Sequence, residues 1–272
     1  MSARKADTLR IMTLNIWNYN PPWTRRRELI ARAVRDADPD IIGFQEIRHD
    51  GALDEAGRNQ AQQLAGLLPE YRYIFQPAQR DPEHDRWEGL AVFSRLPFIS
   101  SSHIDLSRDA GDDRDNHQRI VLHAEIDTPA GSIHFFDTHL SLSRRGRSRT
   151  VREIAAFTHR YAGPLPGILV GDLNEIPAGE PIRHLTEDAG FTDAWAHLHP
   201  DDSGVTYTTA NAYVKGKRPE GGGRRIDYIL VRPPADGQSR LRTIRRVADR
   251  PAEDGHFPSD HFGLLAEIHI EA

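Results

Sequence analysis

Short apolar runs that break abruptly into polar residues constrain this chain more than any other feature of its 272 residues. In GILVGDLNEIP, residues 167–177, Ile168, Leu169 and Val170 read as a buried strand, followed at once by Gly171, Asp172, Leu173 and Asn174. Similar breaks occur at Asn15, at Gln45 with Glu46, and at Asp137 with His139. An unpaired carboxylate in or beside a core costs roughly several kcal/mol, so repeated polar strand ends must converge on something that compensates them. A hard divalent cation and a phosphate would do so. Asn15, Glu46 and Asp260 offer oxygen donors of the kind Mg²⁺ takes.

Between these runs lie segments with helical periodicity. After an opening strand at 9–16, TRRRELIARAVRDAD sets Leu29, Ile30, Ala33, Val34 and Ala37 on one face, with Thr24 as the expected N-cap. DIIGFQEI is a second strand and residues 59–68 a second helix. LAVFSR, RIVLHAEI and SIHFFDTHL read as three successive strands, the first two separated by a polar loop. A helix near 148–162, the strand ILVGD, a helix near 180–189 with Pro181 in its first turn, and the strands RIDYILVR and HFGLLAEIHI complete the pattern. No low-complexity linker interrupts it, so a tail at 1–8 and one domain at 9–272 are expected. Two sheets packed face to face with helices outside suit this alternation. Periodicity alone does not choose that arrangement over one doubly wound sheet.

Composition narrows the chemistry. There is no cysteine, which excludes disulfides, thiolate metal sites and cysteine nucleophiles. A formal net charge of −5 argues against holding nucleic acid by bulk attraction, so a polyanion must be met locally. MSARKADTLR has charges with no apolar stretch behind them, and no later apolar run approaches the roughly 20 residues that span a bilayer. The expectation is a cytoplasmic monomer with no stable membrane insertion.

TLNIWN, GFQEIR, EGLAVFSRLPF, DTHLSL, GDLNEIP, RIDYIL and PSDHFGLLAEI occur in this order. Together they resemble the endonuclease/exonuclease/phosphatase superfamily over about 13–268. The resemblance implies an α/β fold, a four-layer sandwich of two packed mixed β-sheets flanked by helices. It also implies divalent-metal-dependent hydrolysis of a phosphodiester or phosphomonoester, with Mg²⁺ or Mn²⁺ as cofactor. Nucleic acid, a small phosphate ester and a lipid head group are the substrate classes it leaves open. The alternative is a catalytically inactive member that binds nucleic acid or protein as a regulator.

By the same resemblance, Asn15 orients the metal or phosphate and Glu46 is the principal metal ligand, with Asp260 as a metal-side carboxylate. Asp172 activates or positions the attacking water, and Asn174 binds phosphate beside it. Asp227 orients His261, and Glu88 is expected to pair with His139. Arg119 stands where a phosphate-contacting arginine is found. A histidine–carboxylate pair suits proton transfer because the carboxylate fixes the tautomer and favours the protonated ring. Whether His261 or Asp172 takes the water's proton stays open. Trp17 stands where some apurinic endonucleases carry an acid, which counts against that branch.

Each motif also has a plainer reading. Asp172 and Asn174 alone could form an Asx turn, and Asp227 could pair with neighbouring Arg225. The active-site reading instead expects an extended chain that points Asp172 and Asn174 to one side and Leu173 into the protein, with Gly171 allowing close backbone approach. Arg144, Arg145, Arg147, Arg149 and Arg152 form either a polyanion strip or a solvated helix face. Trp17, Tyr19 and Trp23 either stack on a base or sugar or pack as an edge. Tyr207, Asn211 and Lys215, in a glycine-rich basic loop, are candidate substrate contacts.

Overall fold

The computed structural model describes residues 8–214, 222–233 and 241–270. In chain order it runs β1 (Thr8–Asn15), α1 (Trp23–Ala37), β2 (Ile41–Asp50), α2 (Gln60–Leu67), β3 (Arg72–Asp81), β4 (Arg86–Ser94) and β5 (Phe98–Asp105). There follow β6 (Ile120–Thr128), β7 (Gly131–His139), α3 (Arg144–His159), β8 (Gly167–Asp172), α4 (Glu180–Arg183), β9 (Thr192–Asp193) and α5 (Ala194–Leu198). The last elements are β10 (Tyr207–Thr208), β11 (Gly223–Arg224), β12 (Asp227–Arg232), β13 (Leu241–Val247) and β14 (Gly263–His269).

One six-stranded sheet has the order β13-β14-β1-β2-β4-β3, the other β5-β6-β7-β8-β12-β9, and both are mixed. Ile11, Ile41, Val92, Leu122, Phe135, Val170, Ile229 and Leu264 fill the layer between the sheets. The outer face of the first sheet packs Met12, Phe44 and Leu265 against Ile30 and Val34 of α1 and Leu64 of α2. The second sheet packs Phe136, Leu169 and Tyr228 against Val151 and Ile154 of α3. The result is the expected four-layer sandwich of two mixed sheets.

Six strands went unread in the sequence: β3, β5, β9 and β13, which are the edges of the two large sheets, and the two-residue β10 and β11, which pair with each other. An edge strand faces solvent and carries polar side chains, as FISSSHID in β5 does, so its apolar signal is weak. β5 therefore intervenes between the two strands read as neighbours. At α1 the helix starts at Trp23 after Pro22, with no side-chain cap. Thr24 lies inside its first turn because the Trp23 ring is drawn into the core.

Strand alternation explains where the polar residues go. Along the inter-sheet face, apolar rows end in a polar group at one mouth of the sandwich: Ile11, Thr13 and Asn15 on β1; Phe135, Asp137 and His139 on β7; Ile168, Val170 and Asp172 on β8. Asp172 pairs in register with both His139 and Asp227, so three strands deliver their polar ends to one level.

Candidate active site

β2 delivers two consecutive polar residues to this face, which regular alternation forbids. Its pairing with β4 shifts between Phe44 and Ile47, and Glu46 has a left-handed φ of 58°. This bulge turns Glu46 toward the mouth beside Gln45 instead of toward the helix layer. Gln45 then points inward, donating to Asp137 Oδ1 at 2.7 Å. Gln45 and Asp137 are thus buried crosslinks between the sheets, outside the site that the sequence pattern grouped them with.

Asn15 is fixed by its own loop. Its Oδ1 accepts the Trp17 N–H at 2.9 Å, so Nδ2 is the atom that donates to Glu46 Oε1 at 3.1 Å and Asp172 Oδ2 at 3.0 Å. The residue expected as a metal donor therefore presents N–H to the two carboxylates and bridges them.

The segment Asp172–Asn174 reconciles its two readings. Asp172 Oδ1 accepts the Asn174 N–H at 2.9 Å and Asn174 has φ 51°, an Asx turn and not an extended chain. The carboxamide still converges on the site, with Nδ2 3.1 Å from His139 Nε2, and Leu173 is fully buried. Gly171, at φ 143°, serves a different close approach from the one expected. A Cβ there would stand 1.8 Å from the Thr138 carbonyl of β7.

His261 Nδ1 lies 2.9 Å from Asp227 Oδ2, and its Nε2 lies 3.7 Å from Asp172 Oδ2 and 4.0 Å from Asp260 Oδ1. Arg225 pairs instead with Asp193, at 2.7 Å, which leaves Asp227 to the histidine. Burial opposes protonation of His261, but Asp227, Asp260 and Asp172 outweigh it and hold the ring's pKa well above its usual range. His139 is pushed the other way by burial and by the cationic neighbours Arg119 and His261. One ring is thereby kept charged and the other neutral. Burial also raises Asp172 to about 6, against the pull of His261.

The expected His139–Glu88 pair does not form. Arg119 stands between them, with NH1 3.0 Å from His139 Nδ1 and 4.0 Å from Glu88 Oε1. Arg119 donates to Nδ1, and Nε2 faces both the Asn174 carboxamide nitrogen at 3.1 Å and Asp172 Oδ2 at 3.4 Å. Glu88 belongs to the acidic side instead. Burial and the charges of Glu88 and Asp260 push Glu46 up to about 8.

The other candidates separate clearly. Tyr207 lies against His261 with ring centroids 5.0 Å apart, and half-buried Trp17 lies 4.9 Å from Tyr213. Tyr19 and Trp23 are edge packing: both are buried, donating to Asp54 and Gln63. Asn211 is buried and donates to the Ser259 carbonyl, and Lys215 lies outside the described residues. In the arginine strip, Arg147, Arg149 and Arg152 are engaged by Glu175, Asp115 and Glu180, which favours the helix-face reading. Sequence reasoning missed Ser259, whose hydroxyl donates to the Asn15 carbonyl at 2.6 Å and accepts the His261 N–H at 3.2 Å. It also missed Arg26, although an arginine on the apolar stripe of α1 was a visible signal.

Carboxylates, carboxamides and imidazoles gathered at one mouth of a four-layer sandwich define an acid–base centre suited to an anionic substrate. The chain belongs to the Endonuclease/Exonuclease/phosphatase family, whose model matches residues 12–261. Members of this family are generally metal-dependent phosphoesterases. Among curated proteins the chain is similar to a putative neutral sphingomyelinase of Caenorhabditis elegans, at 26% identity over 98% of this chain and 68% of that protein. It is also similar to nocturnin of Drosophila melanogaster, at 23% identity over 91% of this chain and 42% of that protein's length. Among solved structures it resembles an endonuclease/exonuclease/phosphatase from Beutenbergia cavernae, with a TM-score of 0.74 and 22% identity over 98% of this chain and 72% of that one. D. rerio TDP2 complexed with single strand DNA product has a TM-score of 0.73 and 17% identity, over 96% and 98% of the two chains.

The residues fit a metal ion. Glu46 is half-buried beside like charges, which a hard cation would compensate, and the carboxylates on that side, Glu46, Glu88 and Asp260, offer only oxygen. Asp172, Asp227 and His261 also place ligand atoms within 4.8 Å of one another. Among the described residues no helix is long and apolar enough to cross a membrane.

Proposed function

We propose that the protein hydrolyses a phosphodiester or phosphomonoester with Mg²⁺ or Mn²⁺, acting as a cytoplasmic monomer. The observation that carries this reading is the convergence of the His139 and His261 rings on Asp172, with Nε2 at 3.4 and 3.7 Å from its Oδ2, and of the Asn174 carboxamide beside His139. These are donors for the non-bridging oxygens of a phosphate, arranged about a group that can accept a proton. The cysteine-free composition supports a reducing compartment.

Glu46 and Asp260 would hold the cation, with Glu88 as the third carboxylate facing it and Asn15 as the bridge to Asp172. When bound, the cation neutralises charge on the phosphoryl group. Asp172 takes a proton as the water oxygen forms its bond to phosphorus in line with the departing ester oxygen. That bond breaks, and His261, held by Asp227, protonates the leaving oxygen. Arg119 orients the His139 ring through Nδ1, and Trp17 and Tyr207 flank the leaving group or its neighbour.

The test is hydrolysis of bis-p-nitrophenyl phosphate with Mg²⁺ or Mn²⁺. Wild type turns over, and Glu46→Gln, Asp172→Asn and His261→Ala each lower turnover by roughly 10²–10⁴-fold. Full activity in His261→Ala removes the role given to that ring. A wild type that is inert with every divalent cation, on single- and double-stranded DNA, RNA, sphingomyelin and sugar phosphates, leaves a binding protein in place of an enzyme. The sphingomyelinase and DNA-complex relatives make lipid and nucleic-acid arms of that panel the informative ones.

A further inference from the structure

Arg26 lies on the apolar stripe of α1 between Trp23 and Ile30, and its side chain is completely buried. A guanidinium there is costly unless each N–H finds an acceptor. Its acceptors are all main-chain carbonyls. Nε donates to Asn20, NH1 to Ile16 at 2.6 Å and Pro258 at 3.1 Å, and NH2 to Trp17, Asn18 and Asn20 at 3.2, 2.6 and 2.7 Å. Four of these carbonyls belong to the β1–α1 turn, where Trp17 and Asn18 both have left-handed φ, at 59° and 30°. A bulky residue rarely takes that conformation unless its surroundings impose it. The fifth belongs to the segment entering Ser259, Asp260 and His261.

Both ends of this network reach the site in one or two steps. The Trp17 N–H fixes the Asn15 carboxamide that bridges Glu46 and Asp172. Ser259, next to Pro258, ties the Asn15 carbonyl to the His261 N–H. The Arg26 guanidinium also lies 5.0 Å from the centre of the Trp17 ring.

We infer that Arg26 is a positioning residue: by collecting carbonyls from the β1–α1 turn and the Pro258 segment, it locks Asn15 and the Asp260–His261 pair into one cation-receiving arrangement. The inference rests on the metal-dependent reading of the mouth. It requires the directional fork of arginine and not its charge alone, because lysine offers three donors from one point.

Arg26→Lys and Arg26→Gln are compared with wild type in Mn²⁺ binding, followed by electron paramagnetic resonance of free Mn²⁺, and in acrylamide quenching of Trp17, with Trp17→Phe giving the background. In folded Arg26→Lys, Mn²⁺ affinity is expected to fall about 10-fold and Trp17 to become more quenchable without any metal. The affinity loss should shrink in an Asn15→Ala background, because the part of it that passes through the Asn15 carboxamide is then already gone. Turnover of bis-p-nitrophenyl phosphate should fall through kcat with KM little changed. Unchanged Mn²⁺ affinity and Trp17 quenching in Arg26→Lys overturn the inference, as does an effect that simply adds to that of Asn15→Ala. If neither variant folds, the role is architectural and the inference fails. Wild type that binds Mn²⁺ without hydrolysing any ester sinks the catalytic reading alone. If wild type binds no Mn²⁺, the metal reading fails and Trp17 quenching decides for or against Arg26.

Discussion

Three residues in and beside the site have an unusual backbone. Glu46, Asn174 and Trp17 are all left-handed non-glycine residues, and each is held there by a bulge, an Asx turn or the Arg26 fork. Gly171 differs because no side chain fits. Gly171→Ala would place a methyl group against the Thr138 carbonyl between two central strands. Pushing β7 from β8 also separates His139 from Asp172. The variant should lose roughly 3–4 kcal/mol or fail to fold, read by urea unfolding. Wild-type stability there would show that the strands can part without harm. The sequence identified Asp172, Asn174, Asp227 and His261 as a group because each sits in a short motif. It paired His139 with Glu88 wrongly because both belong near Arg119, and only side-chain packing places the arginine between them.

Among the elements, the longer helices and the central strands were legible, whereas the sheet edges and the five-residue α5 were not. β1, β2, β7, β8 and β12 are buried on both faces and show as apolar runs, whereas β5 spends its face on serines. α2 shows what a local signal can carry. Asn59 accepts the Gln62 N–H at 3.0 Å and Gln62 returns the contact to the Asn59 N–H at 3.0 Å, a capping box. Asn59→Ala should cost about 1 kcal/mol with no effect on turnover, since the helix packs on the outer face of the first sheet, away from the mouth. Equal loss of turnover and stability would mean that α2 steers the site after all.

At the scale of the whole molecule, the two sheets meet across an apolar layer that contains one unexpected acid. Asp137 is fully buried, its Oδ2 has no hydrogen-bond partner, and burial pushes its pKa well above the usual carboxylate range despite the Gln45 contact. Below the unfolded-state pKa of about 4, both states are protonated and nothing is lost. As pH rises past that value, the unfolded chain ionises while the folded one resists, so stability falls. Asp137→Asn should therefore match wild type near pH 4 and exceed it progressively toward pH 8. A gain of about 1 kcal/mol appears as roughly 2–4 °C in Tm for a protein of this size. A difference that is constant with pH would show that Asp137 does not stay protonated in the fold.

The alternation of buried strands and amphipathic helices, the oxygen- and imidazole-rich chemistry, and the motif order that marks the family are all written in the order of residues. These are properties of local pattern and residue type. Packing in three dimensions closes the two sheets face to face, turns Glu46 to the mouth through a bulge, and sets Arg119 between His139 and Glu88. It also makes a buried arginine on the first helix hold the loops on both sides of Asn15. Those outcomes depend on contacts between segments up to 244 residues apart, where register and packing, not local preference, set which atoms meet.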